Sequence, residues 1–208
     1  MWPVLILALL AYILGSVPFG FLMGRVRGID LRQVGSGNIG ATNVYRALGG
    51  RMAILVFLLE VGKGLVGTRV IPLLGTADFP TLHLRALCGI AVMVGSIVSV
   101  FMRFRGGKGV ATAVGVFLGL APVATAACLG IWAALVGKFR YVSLGSVCGA
   151  VALPVLISVM DRDGFTGSPV FYLSVLVGVL VVVRHRSNIT RLVQGREHRI
   201  GRNQGGRP

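Results

Sequence analysis

The run Val110-Ala-Thr-Ala-Val-Gly-Val-Phe-Leu-Gly-Leu-Ala-Pro122-Val-Ala-Thr-Ala-Ala-Cys-Leu-Gly-Ile-Trp-Ala-Ala-Leu-Val136 decides how this chain is organised. It holds 27 apolar or small residues without a charge. One helix needs only about 20 to cross a hydrocarbon core of ~30 Å. Near its middle stands Gly119-Leu-Ala-Pro122, and a proline inside a helix removes an N–H and clashes with the preceding turn. The run is either one overlong span or two short helices broken near Pro122, and the charges around it choose.

Outward from it lie five more apolar runs: Pro3 to Met23, Ala53 to Gly75, His83 to Met102, Tyr141 to Met160 and Ser168 to Val183. Between them the cations gather. Gly24 to Met52 carries five Arg; Arg103, Arg105 and Lys108 form a second cluster, and Lys138 and Arg140 a third. Seven Arg follow from position 184 onward. The positive-inside rule places all of these in the cytoplasm, with Asp78 and Asp161-Arg162-Asp163 outside. A single crossing by 110–136 would put Lys138, Arg140 and the Arg-rich tail outside. A break at Pro122 returns every cluster to one face. The expectation is therefore an all-α integral membrane protein: a bundle of seven transmembrane helices, two of them short around Pro122, with the N-terminus out and the C-terminus in. Six spans is the alternative. Residues 1–200 read as one transmembrane domain and 201–208 as a disordered, Gly-rich tail. Met-Trp-Pro at the start has no basic leader region and reads as a retained first helix.

Composition agrees. Of 208 residues 55% are hydrophobic and only 13% charged, with mean hydropathy +0.85, too few charges to coat a water-facing surface. The net charge of +15 would by itself suggest a nucleic-acid partner, but the cations sit between apolar runs as membrane topology requires, and no such partner is expected. Cys88, Cys128 and Cys148 are widely spaced inside apolar runs, so neither a metal site nor a redox role is expected. Gly20xxxGly24, Gly115xxxGly119 and Gly145xxxGly149 have the spacing that lets membrane helices approach closely.

Three polar segments stand out. Val34-Gly-Ser-Gly-Asn-Ile-Gly-Ala-Thr-Asn-Val-Tyr-Arg46 contains GxGxxG, but no buried strand precedes it and Glu60 falls inside a span, so a dinucleotide fold is rejected. What remains is a donor-rich loop entering a short helix. Backbone N–H groups around Gly37 suit an anion, Ser36, Asn38, Thr42 and Asn43 add neutral hydrogen-bonding groups, and Arg46 shares a helical face with Thr42. Arg103-Phe-Arg-Gly106-Gly107-Lys108-Gly109-Val-Ala-Thr112 lacks the Ser or Thr of a Walker motif yet feeds a Gly-rich turn into a helix N-terminus, where an anion is favoured. The third segment, Arg184 to Glu197, is expected to extend the last helix, with His185 and Asn188 on one face. Solvated turns, a topogenic basic loop and a structural histidine are the bland alternatives. Glu60 and Lys63, three apart inside a span, read as an intramembrane ion pair, either structural or catalytic. Arg69 and Arg85 are expected to snorkel outward.

Taken together, Gly-Ser-Gly-Asn-Ile-Gly-Ala-Thr-Asn (Gly35 to Asn43), Gly-Gly-Lys-Gly-Val-Ala-Thr (Gly106 to Thr112) and Arg-His-x-x-Asn-Ile-x-Arg-Leu (Arg184 to Leu192) resemble the bacterial acyl-phosphate-dependent glycerol-3-phosphate acyltransferase family. The resemblance runs from Gly15 to Glu197 and implies a multi-pass enzyme of the inner membrane with its active site on the cytoplasmic face. It implies acyl transfer from acyl phosphate to glycerol 3-phosphate, giving lysophosphatidate and phosphate, without a cofactor. The implied partners are those two substrates, membrane lipids and the peripheral enzyme that makes acyl phosphate. The chain departs from the family pattern twice: Gly95-Ser-Ile-Val-Ser99 stands where members carry Gly-His-x-aromatic-Pro, and Glu60 stands for their Asp.

On this reading Ser36, His185 and Asn188 are the catalytic candidates. Gly37, Asn38, Thr42, Asn43, Arg46, Gly106, Gly107, Lys108, Gly109 and Thr112 are the substrate-binding ones. Acyl phosphate has a good leaving group, so direct attack needs only positioning and charge stabilisation. The proton acceptor is either His185 or a substrate phosphate. A transporter of phosphate esters or other anions is the alternative function, although no repeat supports it.

Overall fold

The computed structural model describes residues 2–75, 81–160 and 167–201. The loops expected outside, at Asp78 and Asp161 to Asp163, and the tail beyond 201 lie outside the described residues. In chain order the helices are α1 (Trp2–Ser16), α2 (Phe19–Val26), α3 (Ala41–Leu48), α4 (Gly50–Arg69), α5 (Thr81–Ile97), α6 (Val110–Leu120), α7 (Pro122–Phe139), α8 (Val142–Met160), α9 (Pro169–Arg184) and α10 (Arg186–Val193). No strand occurs among the described residues.

The break at Pro122 is present. Ala121 leaves the helical region (φ −142°, ψ 69°), and Pro122 begins α7 where a missing N–H costs nothing. At 11 residues α6 is only about 16 Å long. Four stretches are long and apolar enough to cross a membrane: Trp2–Val26, Thr81–Met102, Pro122–Phe139 and Val142–Met160. α9, which meets α10 at a bend of 59°, joins these four only if the bent pair is counted as one broken span. Helix α4 spans 20 residues but carries Glu60 and Lys63.

Three local expectations are corrected. The first run is not one helix: it breaks at Val17-Pro18 between α1 and α2. The last helix does not run on through His185. It turns there, because the His185 N–H is shared between the carbonyls of Val181 and Val182 and its φ of −100° leaves the helical path. Arg85 does not snorkel outward. Its guanidinium donates to the carbonyls of Thr68 (3.0 Å) and Gly119, near the C-terminal ends of α4 and α6, where unpaired carbonyls concentrate negative charge.

The main core is built from α1, α5, α6, α8 and α9, with Phe117, Met93, Leu173 and Val181 almost fully enclosed. Helices α4 and α6 pack backbone to backbone. A Cβ on Gly64 would strike the Thr112 carbonyl, and one on Gly115 would strike that of Val61. Opposite the core, Leu5, Ile6 and Leu9 of α1 and Val151, Val155 and Val159 of α8 are exposed, as surfaces solvated by lipid require.

Candidate active site

A cavity of about 250 Å³ opens between the polar loops and runs down among the helices. Ser36, Asn38, Arg46, Lys108, His185 and Asn188 line its polar part. Its apolar part is formed by Phe117, Leu129, Trp132, Leu153 and Val177. Thr42, Asn43, Gly107, Gly109 and Thr112 also line it. Gly37 and Gly106 do not; they shape the loops behind it.

The first loop is folded around Asn43, which is 1% exposed. Its side-chain oxygen accepts from the Ser36 N–H at 2.9 Å, and its amide donates to the carbonyls of Leu31 (3.0 Å) and Val34 (2.9 Å). Asn43 therefore holds the loop rather than reaching out of it. Gly35 and Gly37 have φ of 60° and 70°, which turns the chain so that the intervening Ser36 reaches the cavity. Asn38 accepts from the Gly40 N–H at 2.9 Å, closing the turn before α3, and α3 then presents Thr42 and Arg46.

In the second loop two of the expected glycine donors are already used. The N–H groups of Gly106 and Gly107 donate to the carbonyls of Ile97 and Ser96, both at 3.0 Å, satisfying the C-terminal end of α5. Arg184 donates to the carbonyls of Gly106 (3.1 Å) and Gly107 (3.0 Å). Anion-binding capacity thus lies one step further on, at Lys108 and the first turn of α6, whose N–H groups have no partner within the helix.

The third segment supplies a relay of donors. Lys108 Nζ donates to Asn188 Oδ1, and Asn188 Nδ2 donates to Glu197 Oε1 at 2.6 Å. Glu197 also accepts from Ser143 (2.9 Å) and Arg191 (2.8 Å). Burial alone would raise the Glu197 pKa, but the hydrogen bonds from Asn188, Arg191 and Ser143 outweigh it and hold the carboxylate ionised. His185 Nδ1 lies 2.8 Å from the Val181 carbonyl. A carbonyl only accepts, so Nδ1 carries the proton and Nε2 of the neutral ring carries the lone pair. Burial, and then the Lys108 charge, push the His185 pKa down to about 4. Burial likewise lowers Lys108 to about 8, against a partly compensating pull from Glu197.

Glu197, Ser143 and Arg184 were not singled out from sequence as site residues. One signal was available: Glu197 is the only acid among seven Arg after position 183. Ser143 carried none.

A family model described as glycerol-3-phosphate acyltransferase matches residues 5–195. The chain is 44% identical over 196 residues to the glycerol-3-phosphate acyltransferase of Geobacter sulfurreducens, covering 94% of this chain and 97% of that one. It is 46% identical to the enzyme of the same name from Synechococcus sp. strain CC9902, covering 95% of each. Among solved structures it superposes on the glycerol 3-phosphate form of PlsY (YgiH), described as an integral membrane glycerol 3-phosphate acyltransferase. The TM-score is 0.85 at 38% identity, covering 95% of this chain and 96% of that one. The lysophosphatidic acid form of the same enzyme gives 0.83 at 36% identity, covering 95% of both.

Proposed function

The chain belongs to the glycerol-3-phosphate acyltransferase family, and from that premise we propose that it transfers a fatty acyl group from acyl phosphate to glycerol 3-phosphate, releasing lysophosphatidate and phosphate. The observation that carries this is the single cavity, which joins a polar mouth containing Ser36, Arg46, Lys108 and His185 to an apolar shaft between α6, α7, α8 and α9. The mouth offers cations and hydroxyls to phosphate headgroups, and the shaft offers apolar side chains to an acyl chain. A transporter has no need of an apolar shaft leading from its anion site.

Arg46 and Thr42 hold the phosphate of glycerol 3-phosphate. Lys108, Gly109 and the first turn of α6 hold that of the donor. The glycerol hydroxyl attacks the acyl carbonyl carbon, the new ester C–O bond forms, and the bond from carbonyl carbon to phosphate oxygen breaks. Ser36, Asn38 and Lys108 stabilise the charge that develops, a contribution of roughly 3–4 kcal/mol per well-placed donor. His185 Nε2 accepts a hydrogen bond from the attacking hydroxyl and orients it. With its pKa near 4, His185 is a weaker base than a phosphate dianion, whose second ionisation lies at about 6. As the C–O bond forms, the hydroxyl proton therefore leaves its hydrogen bond to Nε2 and passes to a substrate phosphate. Asn188 and Glu197 hold Lys108, and Asn43 holds the Ser36 loop.

The same reading places residues 1–200 as one catalytic domain in a bacterial inner membrane. It has seven membrane helices with the N-terminus outside, and its polar loops face the cytoplasm. There they meet acyl phosphate supplied by a peripheral enzyme. Purified protein given acyl phosphate and labelled glycerol 3-phosphate in detergent should form labelled lysophosphatidate and stoichiometric phosphate. Absence of product, with uptake of label only into sealed vesicles, would point to the transporter instead.

A further inference from the structure

Along one wall of the same cavity runs a polar network of Lys63, Glu60, Thr112 and Ser96 to which the acyl-transfer steps above assign no part. Lys63 is 4% exposed and reaches three acceptors: Glu60 Oε2 at 2.7 Å, the Gly15 carbonyl at 2.9 Å and the Val17 carbonyl at 3.1 Å. An ammonium has three N–H donors, so Lys63 has none left for substrate. Glu60 Oε2 also accepts from Thr112 Oγ1 at 2.9 Å, and Thr112 is fully enclosed. Ser96 Oγ lies 2.9 Å from the same Thr112 oxygen. Since the Thr112 proton is committed to the carboxylate, Ser96 is the donor in that bond.

Two features give this network a purpose beyond filling the bundle. Ser96 grips the second loop at both ends: its carbonyl takes the Gly107 N–H and its hydroxyl takes Thr112, so residues 107 and 112 bracket Lys108. The Thr112–Glu60 bond also falls at the glycine-tight contact where Gly64 meets the Thr112 carbonyl. A shift of α6 along α4 would break both together. A buried ion pair is often no more stabilising than apolar residues of the same size, so stability alone does not account for one here.

We infer that Glu60, Thr112 and Ser96 are positioning residues for the phosphate-binding turn: through their hydrogen bonds to one another they fix the start of α6, and with it Lys108. This rests on the acyl-phosphate reading of that turn.

The test uses purified full-length protein, comparing wild type with Thr112→Val, Thr112→Ser and Ser96→Ala. The readouts are kcat, KM for each substrate, the Ki of inorganic phosphate and Tm. Thr112→Val keeps the shape and deletes the hydroxyl. It should raise the phosphate Ki about tenfold, the scale of one hydrogen bond to a charged group. Thr112→Ser restores the hydroxyl and should stay within about twofold of wild type. An unchanged Ki in Thr112→Val, or equal damage in Thr112→Ser, overturns the inference. If Thr112→Val does not fold, Ser96→Ala decides: a rise of about threefold supports the network and an unchanged Ki refutes it. A wild type that makes no lysophosphatidate would sink the acyltransferase reading alone. Calorimetric titration of the same proteins with inorganic phosphate would still judge the network.

Discussion

At the scale of single residues, the chemistry depends on two depressed pKa values. Lys108, lowered to about 8 by burial, is protonated at neutral pH and becomes neutral above that. A bound phosphate raises its pKa, so binding above pH 8 takes up a proton, and affinity should fall about tenfold per unit there. On the acid side the proposed proton acceptor is a phosphate dianion, which is lost below about pH 6. The kcat/KM profile should therefore be a bell between roughly 6 and 8. Lys108→Arg should carry the basic limb upward, since guanidinium stays charged. His185→Ala should lower kcat about a hundredfold by disorienting the hydroxyl, yet leave the acid limb in place. An acid limb that vanished in that variant would make His185 the base. Glu60 and Ser96, two of the positions at which the sequence reading expects a departure from the resembled family, are joined through the Thr112 hydroxyl. The longer acid and the smaller alcohol thus look like one compensated change. Glu60→Asp and Ser96→His should each impair activity, and the double variant should recover, with a coupling of about 1 kcal/mol or more in a double-mutant cycle.

At the scale of elements, α6 is too short to hold its own depth and is fixed by its neighbours. Gly64 and Gly115 let α4 and α6 touch backbone to backbone, while Arg85 takes the Gly119 carbonyl near the other end of α6. Gly115→Ala should push α6 off α4 and cost about 1–3 kcal/mol, read as a lower Tm. Because the turn at Lys108 moves with α6, the same variant should also weaken phosphate inhibition. The small-xxx-small spacing at Gly115 was visible in the sequence, as was the break at Pro122. The bend at His185 was not. Nothing in Arg184-His-Arg-Ser-Asn stops a helix, and the turn accompanies bonds from Asn188 to Lys108 and Glu197, distant partners that local propensity does not report. The same holds for Asn43 and Thr112. Their residue types suggested ligands, but their hydrogen bonds go to Leu31, Val34, Glu60 and Ser96.

At the scale of the whole molecule, all three polar segments converge on one cavity, although Ser36 and Glu197, which both line it, are 161 positions apart. The bundle does this by returning the chain repeatedly to one face. Single cysteines at exposed Arg51, Arg105 and Lys138, in a protein lacking Cys88, Cys128 and Cys148, test that arrangement. An impermeant thiol reagent should label all three in inside-out vesicles and none in intact cells. Labelling of position 138 from the opposite side would leave the run 110–136 crossing once.

The chain's own order of apolar runs and basic clusters was enough to determine a helical membrane protein, a break at Pro122 and the three polar segments that meet at the cavity. Those properties follow from local composition, helix geometry and the high cost of unpaired charge in lipid. Only the tertiary structure decided which polar side chains face the substrate cavity and which hold the loops. A hydrogen-bonding residue has the same letter in either role, and the difference lies in partners supplied by other helices.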